Sequence, residues 1–169
     1  MNVPVVSVVA KSGTGKTTLL EKLIAGLKGR GYRVGALKHD AHRFEMDHEG
    51  KDSWRLTQAG AATTVITSPA KIAMIKMNRD AQEPPLEETI QRLFADVDIV
   101  MTEGFKKSAM PKIEVHRTAR SERLLCRDEE HDPTLIAVAS DAGLQLDVPV
   151  FHIDDAEAIC DFIEARFLQ

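Results

Sequence analysis

The feature that most constrains this chain is the sequence AKSGTGKT at residues 10–17. It matches the phosphate-loop pattern, except that Ala10 stands where the first glycine is usual. Gly13 and Gly15 allow the backbone to turn sharply, so that several N–H groups converge on one point. An apolar run, Val3 to Val9, leads into the loop, and a helical pattern follows it. The sequence therefore predicts a loop that binds a nucleoside triphosphate between a buried strand and a helix.

The side chains of this loop have separate expected roles. Lys16 is expected to reach the β- and γ-phosphates as a mobile charge, and the Thr17 hydroxyl to ligate Mg²⁺. Thr18 adds a hydroxyl on the α-phosphate side. The positive N-terminal end of the following helix points at the same place. The predicted nucleotide-binding residues of the loop are Ser12, Gly13, Thr14, Gly15, Lys16, Thr17 and Thr18.

Strands and helices alternate along the chain, which predicts an α/β protein with a three-layer P-loop NTPase fold: a mostly parallel sheet with helices on both faces. The apolar runs predict strands over Val3–Val9, Arg33–Lys38, Val97–Met101, Leu135–Ala139 and Val148–Ile153. The periodic segments predict helices over Thr17–Lys28, Lys51–Ala59 and Leu86–Phe94, the last with Ile90, Leu93 and Phe94 facing inward, and a final helix capped by Asp154.

Three further segments complete the predicted organisation. Ala62–Thr67 and Lys71–Met77 are expected to form a hairpin that adds an antiparallel element at one edge of the sheet. Lys112–His116 alternates and is predicted to be a strand with one wet face. The charged stretch Arg117–Pro133 is predicted to be a surface excursion.

The composition indicates a single globular domain over residues 1–169, since 43% of the residues are hydrophobic and 28% are charged. A net charge of −4 argues against a sequence-independent nucleic-acid binder. Cys126 and Cys160 form no metal-binding pattern and are expected to be reduced thiols. We expect no membrane partner and a cytoplasmic location, because no basic leader precedes the first apolar run and no stretch approaches the ~20 apolar residues of a membrane span.

Acidic residues near the ends of strands are the candidate metal ligands. Glu103 leaves the C-terminal end of the predicted strand Val97–Met101, where ligands of open α/β sheets bind. It is expected to hold Mg²⁺ or to orient an attacking water, so that Lys16 and Glu103 are the expected catalytic pair. Asp47 is expected to help place the metal. Lys51 and Asp52 are further candidates near the phosphates.

The segment from His39 to Gly50 is rich in histidine and acidic residues. Three histidines, His39, His42 and His48, raise the alternative of a transition-metal site and of a nickel-insertion GTPase. Their spacing fits no specific ligand pattern. A solvated loop that orders around triphosphate and magnesium is the favoured interpretation.

Beyond the phosphate loop, several short motifs follow in a selective order. They are SGTGKTTLL at 12–20, KH at 38–39, Asp47 followed by GKDS at 50–53, AGA at 59–61, EGFK at 103–106 and PKIEV at 111–115. Their order and spacing resemble MobB, the family of molybdopterin-guanine dinucleotide biosynthesis protein B. The resemblance runs from Val3 to about Asp141 and is weakest over Ala119–Pro133.

The resemblance implies a GTP-binding accessory protein that assists the guanylylation of molybdopterin. It implies a homodimer that works with a MobA-type nucleotidyltransferase and with molybdopterin or its carrier proteins. GTP and Mg²⁺ are the implied cofactors, and hydrolysis of GTP is at most slow. The Ile72–Met77 part of the hairpin is the predicted dimer surface, because it offers an exposed strand edge.

Recognition of the base is not specified by a familiar motif. The chain lacks an Asn/Thr-Lys-x-Asp run, and the candidate is Ser140-Asp141, directly after the strand Leu135–Ala139. An aspartate at that strand end is placed to accept from guanine N1 and N2. The other interpretation is a turn aspartate that stabilises the loop around Gly143.

A metabolite kinase is the second alternative function, since it uses the same phosphate loop. Such an enzyme needs an arginine-rich lid, for which Arg117–Arg127 is the candidate segment. No arginine is placed as a finger by sequence position, and Arg43 and Arg55 are the candidates for that role.

Overall fold

The computed structural model describes residues 3–39, 44–79, 82–129 and 131–168. The chain forms two compact units. The first contains residues 1–39 and 86–169, and the second contains residues 40–85. Two predicted candidates, His42 and Arg43, lie outside the described residues.

Eight strands are present in the described parts of the chain. They are β1 (Val5–Val9), β2 (Val34–Lys38), β3 (Thr63–Thr67), β4 (Ile72–Lys76), β5 (Ile99–Glu103), β6 (Lys112–His116), β7 (Leu135–Ser140) and β8 (Val150–His152). Six of them form one sheet in the order β2-β5-β1-β6-β7-β8, and all neighbouring pairs are parallel. The predicted parallel α/β sheet is therefore confirmed.

The helices are α1 (Lys16–Gly29), α2 (Asp52–Gln58), α3 (Leu86–Leu93) and α4 (Ala156–Phe167), with one π-helical turn at Leu125–Glu129. No helix among the described residues is long and apolar enough to cross a membrane. α1 and α4 pack on one face of the sheet, and α3 packs on the other. This is the predicted three-layer arrangement.

Strand β1 lies in the middle of the sheet and is buried along its whole length. Val6 and Val8 face the cluster formed by α1 and α4. Val5 contributes to the cluster around α3, and Val9 to a third cluster that contains Leu124 and Cys126. Because both faces are covered, the strand is apolar on both sides, without the alternation of a half-exposed strand. The exception is Ser7, whose buried hydroxyl accepts from the Thr102 hydroxyl at 2.8 Å.

The chain order of the strands reverses beside β1. From β1 the chain continues to β2 and β5 on one side, and then to β6, β7 and β8 on the other. A crevice at the carboxyl ends of the strands is expected where the order of an open α/β sheet reverses. The loop after β1 therefore lies at the expected ligand-binding position of this fold.

The prediction of a wet face on β6 is wrong, and the prediction of a surface excursion after it is wrong in part. Lys112, Glu114 and His116 are buried, so β6 has no wet face. The reason is that Leu124 and Cys126 of the following segment belong to a buried cluster with β7, while many of the described residues of that segment are exposed. Burial and the charge of Glu114 raise the pKa of the Cys126 thiol to about 12. Both cysteines are free, as predicted.

Three smaller predictions also change. The final helix is capped by Asp155 instead of Asp154, and the Asp155 side chain accepts from the Ala158 N–H at 3.1 Å. Leu93, expected to face inward, is half exposed. Strand β5 begins two residues later than predicted and runs to Glu103, because it continues to pair with β2 up to that residue.

The second unit contains helix α2 and the hairpin of β3 and β4. The two strands pair in register from Thr63 with Lys76 to Thr67 with Ile72. The hairpin forms a two-stranded sheet of its own. The prediction that it adds an antiparallel element to the edge of the main sheet is therefore wrong. The hairpin exposes Val65, Ile72 and Met74 on one face and Ile66 on the other.

Candidate functional site

The loop after β1 has the backbone conformation that a phosphate loop requires. Gly13 and Gly15 have φ values of +72° and +101°, in the left-handed region that residues with a Cβ rarely adopt. Helix α1 begins at Lys16, directly after Gly15. The Thr14 hydroxyl donates to the Lys11 carbonyl at 2.7 Å and stabilises the turn from inside. The loop therefore directs the N-terminus of α1 toward the crevice.

Ala10, the departure from the usual pattern, is fully buried in the cluster between β1 and α1. Its methyl group fills core space beneath the loop, and the left-handed turns occur three and five residues later. The substitution thus leaves the turning residues of the loop in place.

Lys16 is half-buried as a residue, and its side chain forms no hydrogen bond or ion pair with any part of the chain that the structure describes. Its ammonium group therefore has no carboxylate partner there and is available to an anion. Ser12, Thr17 and Thr18 are exposed at the same turn. These features are those expected of an anion-binding loop.

Thr17 and Glu103 are brought together by the fold, as predicted from the strand-end position of Glu103. The Thr17 hydroxyl donates to Glu103 Oε2 at 3.0 Å, and Lys38 Nζ lies 3.9 Å from Glu103 Oε1. A hydroxyl and a carboxylate are hard oxygen ligands of the kind that Mg²⁺ prefers, usually together with phosphate oxygens and water. The donor set therefore fits magnesium, with Thr17 and Glu103 as its ligands.

An open cleft of about 220 Å³ lies beside this pair. Its polar lining residues are Thr17, Glu21, Lys38 and Glu103, and Leu20 and Ile24 of α1 provide apolar groups. The Thr17–Glu103 pair therefore borders an accessible space at the edge of β2.

The turn after Glu103 is conformationally unusual. Gly104 and Phe105 both have positive φ values, +95° and +54°. Positive φ is uncommon for a phenylalanine and is typically retained where the surroundings enforce it. The Phe105 ring contacts the His39 ring with centroids 5.0 Å apart. The EGFK motif thus forms a fixed turn that orients Glu103 against the phosphate loop.

Asp47, Lys51 and Asp52 belong to the second unit, and their roles near the phosphates stay predictions. Asp47 Oδ1 accepts from the His48 N–H at 2.8 Å, and hydrogen bonds from Ser53 and His48 lower the pKa of the carboxyl group. Lys51 is the N-cap residue of α2, and Asp52 lies in its first turn. Asp47 is therefore ionised near neutral pH, as a metal ligand must be.

The described part of the histidine-rich segment, which leaves out residues 40–43, provides no support for a nickel site. Among the described residues, no group of three histidine, cysteine or acidic side chains is arranged to hold a metal ion. His39 packs against Phe105, and His48 is exposed. The predicted solvated loop remains the simpler interpretation of the part that is described.

Ser140 ends β7 and Asp141 follows it, at the same edge of the sheet. The Ser140 hydroxyl is buried between His116 Nδ1 and the Ala142 N–H, both at 3.1 Å. Asp141 Oδ1 accepts from the Thr118 N–H at 2.9 Å, and this bond lowers the pKa of its carboxyl group. Asp141 is exposed and ionised, so it retains acceptor capacity for a base while holding the neighbouring loop.

Two arginines of the segment 117–127, which the kinase alternative offers as an arginine-rich lid, lie against the phosphate loop. Arg117 Nε donates to the Thr14 carbonyl at 3.1 Å. A methyl group placed on Gly13 would lie 3.6 Å from Arg120 Cζ. Besides that candidate lid, the signal in the sequence was the position of Arg117, which directly follows β6, whose carboxyl end lies beside that of β1.

The segment that carries these arginines is held by the buried polar face of β6. Glu114 accepts from the backbone N–H groups of Leu125 and Cys126 at 2.6 and 2.9 Å. Lys112 forms an ion pair with Asp132 at 3.0 Å. Satisfied buried charges of this kind fix one arrangement of the chain, since any other leaves them unpaired.

Comparisons with known proteins agree with the resemblance of the motifs. Residues 5–141 match the family model described as "Molybdopterin guanine dinucleotide synthesis protein B" (MobB). The molybdopterin-guanine dinucleotide biosynthesis adapter protein of Escherichia coli is 40% identical over 165 residues, covering 95% of this chain and 91% of the relative. That of Haemophilus influenzae is 36% identical over 163 residues, covering 96% of this chain and 88% of the relative.

Solved structures extend the similarity to the whole fold. A crystal structure of molybdopterin-guanine biosynthesis protein B matches with a TM-score of 0.77 and 30% identity, covering 98% of this chain and 99% of that one. The structure of Bacillus subtilis MobB matches with a TM-score of 0.76 and 25% identity, covering 97% and 98% of the two chains.

Proposed function

The chain belongs to the MobB family, and from that premise we propose that it is a GTP-binding adapter in the biosynthesis of molybdopterin guanine dinucleotide. In this role it binds GTP with Mg²⁺ and positions the nucleotide for guanylylation of molybdopterin. The transfer itself belongs to a MobA-type nucleotidyltransferase, and molybdopterin or its carrier proteins are the other proposed partners. The relatives in Escherichia coli and Haemophilus influenzae are named as adapter proteins of this biosynthesis.

The single observation that carries the proposal is the combination of an unpartnered Lys16 with the Thr17–Glu103 pair. The lysine offers a charge to the phosphates, and the hydroxyl and carboxylate offer oxygen ligands to Mg²⁺. Both lie on a loop whose left-handed glycines direct N–H groups at the same point. This arrangement supports binding and positioning of a triphosphate.

The site is better equipped for binding than for fast hydrolysis. Phosphoryl transfer to water needs a water-positioning group in line with the γ-phosphate. Glu103 is the proposed candidate, but its carboxylate already contacts Thr17 and faces the ammonium group of Lys38. We therefore propose at most a slow GTPase activity, with Lys16 and Glu103 as the residues that support it.

Recognition of guanine is proposed for Asp141, and the substitution Asp141→Asn separates this role from its structural one. Asparagine keeps the Oδ1 acceptor for the Thr118 N–H but places a donor where guanine N1 and N2 also donate. We expect the preference for GTP over ATP to fall by about tenfold or more, while affinity for ATP stays within about twofold. Competition binding against a fluorescent GTP analogue measures both.

Asp141→Ala is the matched comparison, because it removes both the acceptor for the Thr118 N–H and the proposed acceptor for guanine. It is expected to weaken GTP and ATP binding together through the loop that Thr118 begins. Equal losses of GTP and ATP binding in Asp141→Asn would contradict guanine readout and leave Asp141 as a turn-stabilising residue.

We propose that the chain forms a homodimer through the hairpin of β3 and β4. Ile72 is 72% exposed and Val65 53% exposed on the same face of that hairpin. Such an apolar strand pair is a typical interaction surface. The double substitution Ile72→Lys and Met74→Lys is expected to convert a dimer into a monomer in sedimentation velocity.

Lys71→Ala, at the turn of the same hairpin, is the control and is expected to leave the sedimentation coefficient unchanged. A dimer that persists after both apolar residues are replaced by lysine would contradict this surface. A wild-type protein that sediments as a monomer at micromolar concentration would contradict the dimer itself.

A further inference from the structure

Arg117 and Arg120 lie on the phosphate loop from a different part of the chain. A methyl group placed on Gly13 would lie 3.6 to 3.8 Å from the Arg120 guanidinium. One placed on Gly15 would lie 3.8 to 3.9 Å from the Arg117 guanidinium. These glycines are the two left-handed residues of the loop, so both guanidinium groups lie where the loop turns.

The two arginines are carried by a short segment with several independent attachments. Asp141 accepts from the Thr118 N–H at 2.9 Å. The Ser121 hydroxyl accepts from Lys11 Nζ at 2.7 Å, and the Ser121 carbonyl lies 2.9 Å from His116 Nε2. The segment is thereby fixed to β6, to the end of β7 and to the loop itself.

The available hydrogen-bonding capacity of the two guanidinium groups differs. Arg117 uses Nε on the Thr14 carbonyl, which fixes its direction. The Arg120 side chain has no hydrogen-bond or ion-pair partner among the described residues. Arg120 is exposed at Gly13, in the same loop as Lys16, and neither side chain has a carboxylate partner among the described residues. Arginine is the side chain best suited to bidentate contact with phosphate oxygens.

We propose that Arg120 is a direct ligand of the phosphate chain of the bound nucleotide and that Arg117 is a positioning residue for the loop. Both act from the same chain that contributes Lys16. Arg117 holds the Thr14 carbonyl and thereby the left-handed turns on either side of it. Arg120 adds a second cation to the anion site. This inference rests on the proposed binding of a nucleoside triphosphate.

The test measures the displacement of a fluorescent GTP analogue by GTP and by inorganic tripolyphosphate. Arg120→Ala is expected to weaken both competitors by about 10- to 100-fold, the range for losing a hydrogen bond to a charged group. Tripolyphosphate has no base or ribose, so an equal loss for both competitors assigns the contact to phosphate. Arg120→Lys is expected to recover part of the loss, because the charge remains but the bidentate geometry does not.

Arg33→Ala is the matched control, because it also removes one positive charge. Arg33 lies just before β2, at the opposite end of that strand from Lys38 and therefore away from the phosphate loop. It is expected to bind both competitors as the wild type does. Arg117→Ala is expected to weaken both competitors without changing the unfolding temperature of the nucleotide-free protein. If Arg117→Ala loses affinity and also lowers the unfolding temperature of the nucleotide-free protein, Arg117 stabilises the fold in general and is not a positioning residue for the loop.

The outcomes separate this inference from the function on which it rests. If the wild-type protein binds the analogue and Lys16→Ala does not, but Arg120→Ala binds GTP within twofold of the wild type, only the role of Arg120 is wrong. A loss for GTP without a loss for tripolyphosphate also overturns it. If the wild type binds neither competitor, the proposed function itself fails.

Discussion

Lys16→Ala is expected to abolish measurable binding of GTP while the protein remains folded. The Lys16 ammonium group has no partner among the described residues, so its removal breaks no hydrogen bond or ion pair of the folded chain there. With the nucleotide bound, it is expected to contact two phosphates through charge-assisted hydrogen bonds worth about 1.5–3 kcal/mol each. The loss corresponds to about 100-fold or more in Kd. Isothermal titration calorimetry with GTP and Mg²⁺ measures it.

Lys22→Ala provides the control on the same helix. Lys22 is exposed and pairs with Asp154 at 3.4 Å, an arrangement that contributes about 0–1 kcal/mol to stability. It is expected to bind GTP as the wild type does. Retained GTP affinity in Lys16→Ala, with an unchanged circular dichroism spectrum, would contradict the assignment of the loop.

The second large effect is on stability and concerns Glu114. Its side chain is 2% exposed and accepts the N–H groups of both Leu125 and Cys126. Glu114→Ala leaves one buried and one partly buried donor without acceptors, at a cost of about 1–3 kcal/mol each. For a chain of this size the unfolding temperature falls by about 2–4 °C per kcal/mol. We therefore expect a decrease of about 10 °C in differential scanning calorimetry.

Two further variants test whether the decrease in unfolding temperature comes from the lost acceptor oxygens of Glu114. Glu114→Gln keeps one acceptor oxygen and is expected to lose less than Glu114→Ala. Glu122→Ala removes an exposed acid from the segment after β6 that contains Leu124 and Cys126, here called the covering segment. It is expected to leave the unfolding temperature within about 1 °C. An unfolding temperature for Glu114→Ala within 2 °C of the wild type would show that the segment is not held by this strand.

The phosphate loop and the architecture were predictable because their signals are local. Residues 10–17 carry the turn glycines, the lysine and the threonine in one contiguous run. The contact of Glu103 with Thr17 was also predictable, since the carboxyl ends of neighbouring parallel strands meet at one edge of the sheet. Rules of local sequence and strand order were enough for both.

The covering segment was not predictable by the same rules. Charged residues at alternate positions of β6 are the usual pattern of a solvated face, and only packing against a distant segment reveals Lys112 and Glu114 as buried. The placement of Arg117 and Arg120 follows from that packing. Their contact with Gly13 and Gly15 joins residues about a hundred positions apart, and sequence periodicity carries no information about such a pairing.

The same packing explains why Asp141 was ambiguous from sequence. Read alone, it is either a base-reading residue or a turn residue. In the structure it is the acceptor that holds the start of the arginine-bearing segment, and it remains exposed to solvent. The two interpretations are therefore compatible. Comparing Asp141→Asn with Asp141→Ala separates the contribution of base recognition from that of the turn.

The most direct test of the central proposal is calorimetric titration of the wild-type protein with GTP and with ATP, each with and without Mg²⁺. A magnesium-dependent GTP-binding site predicts saturable binding of GTP near one molecule per chain, weaker binding of ATP, and a clear loss of affinity when Mg²⁺ is removed by chelation. Absence of a binding isotherm for either nucleotide in the presence of Mg²⁺ would contradict it.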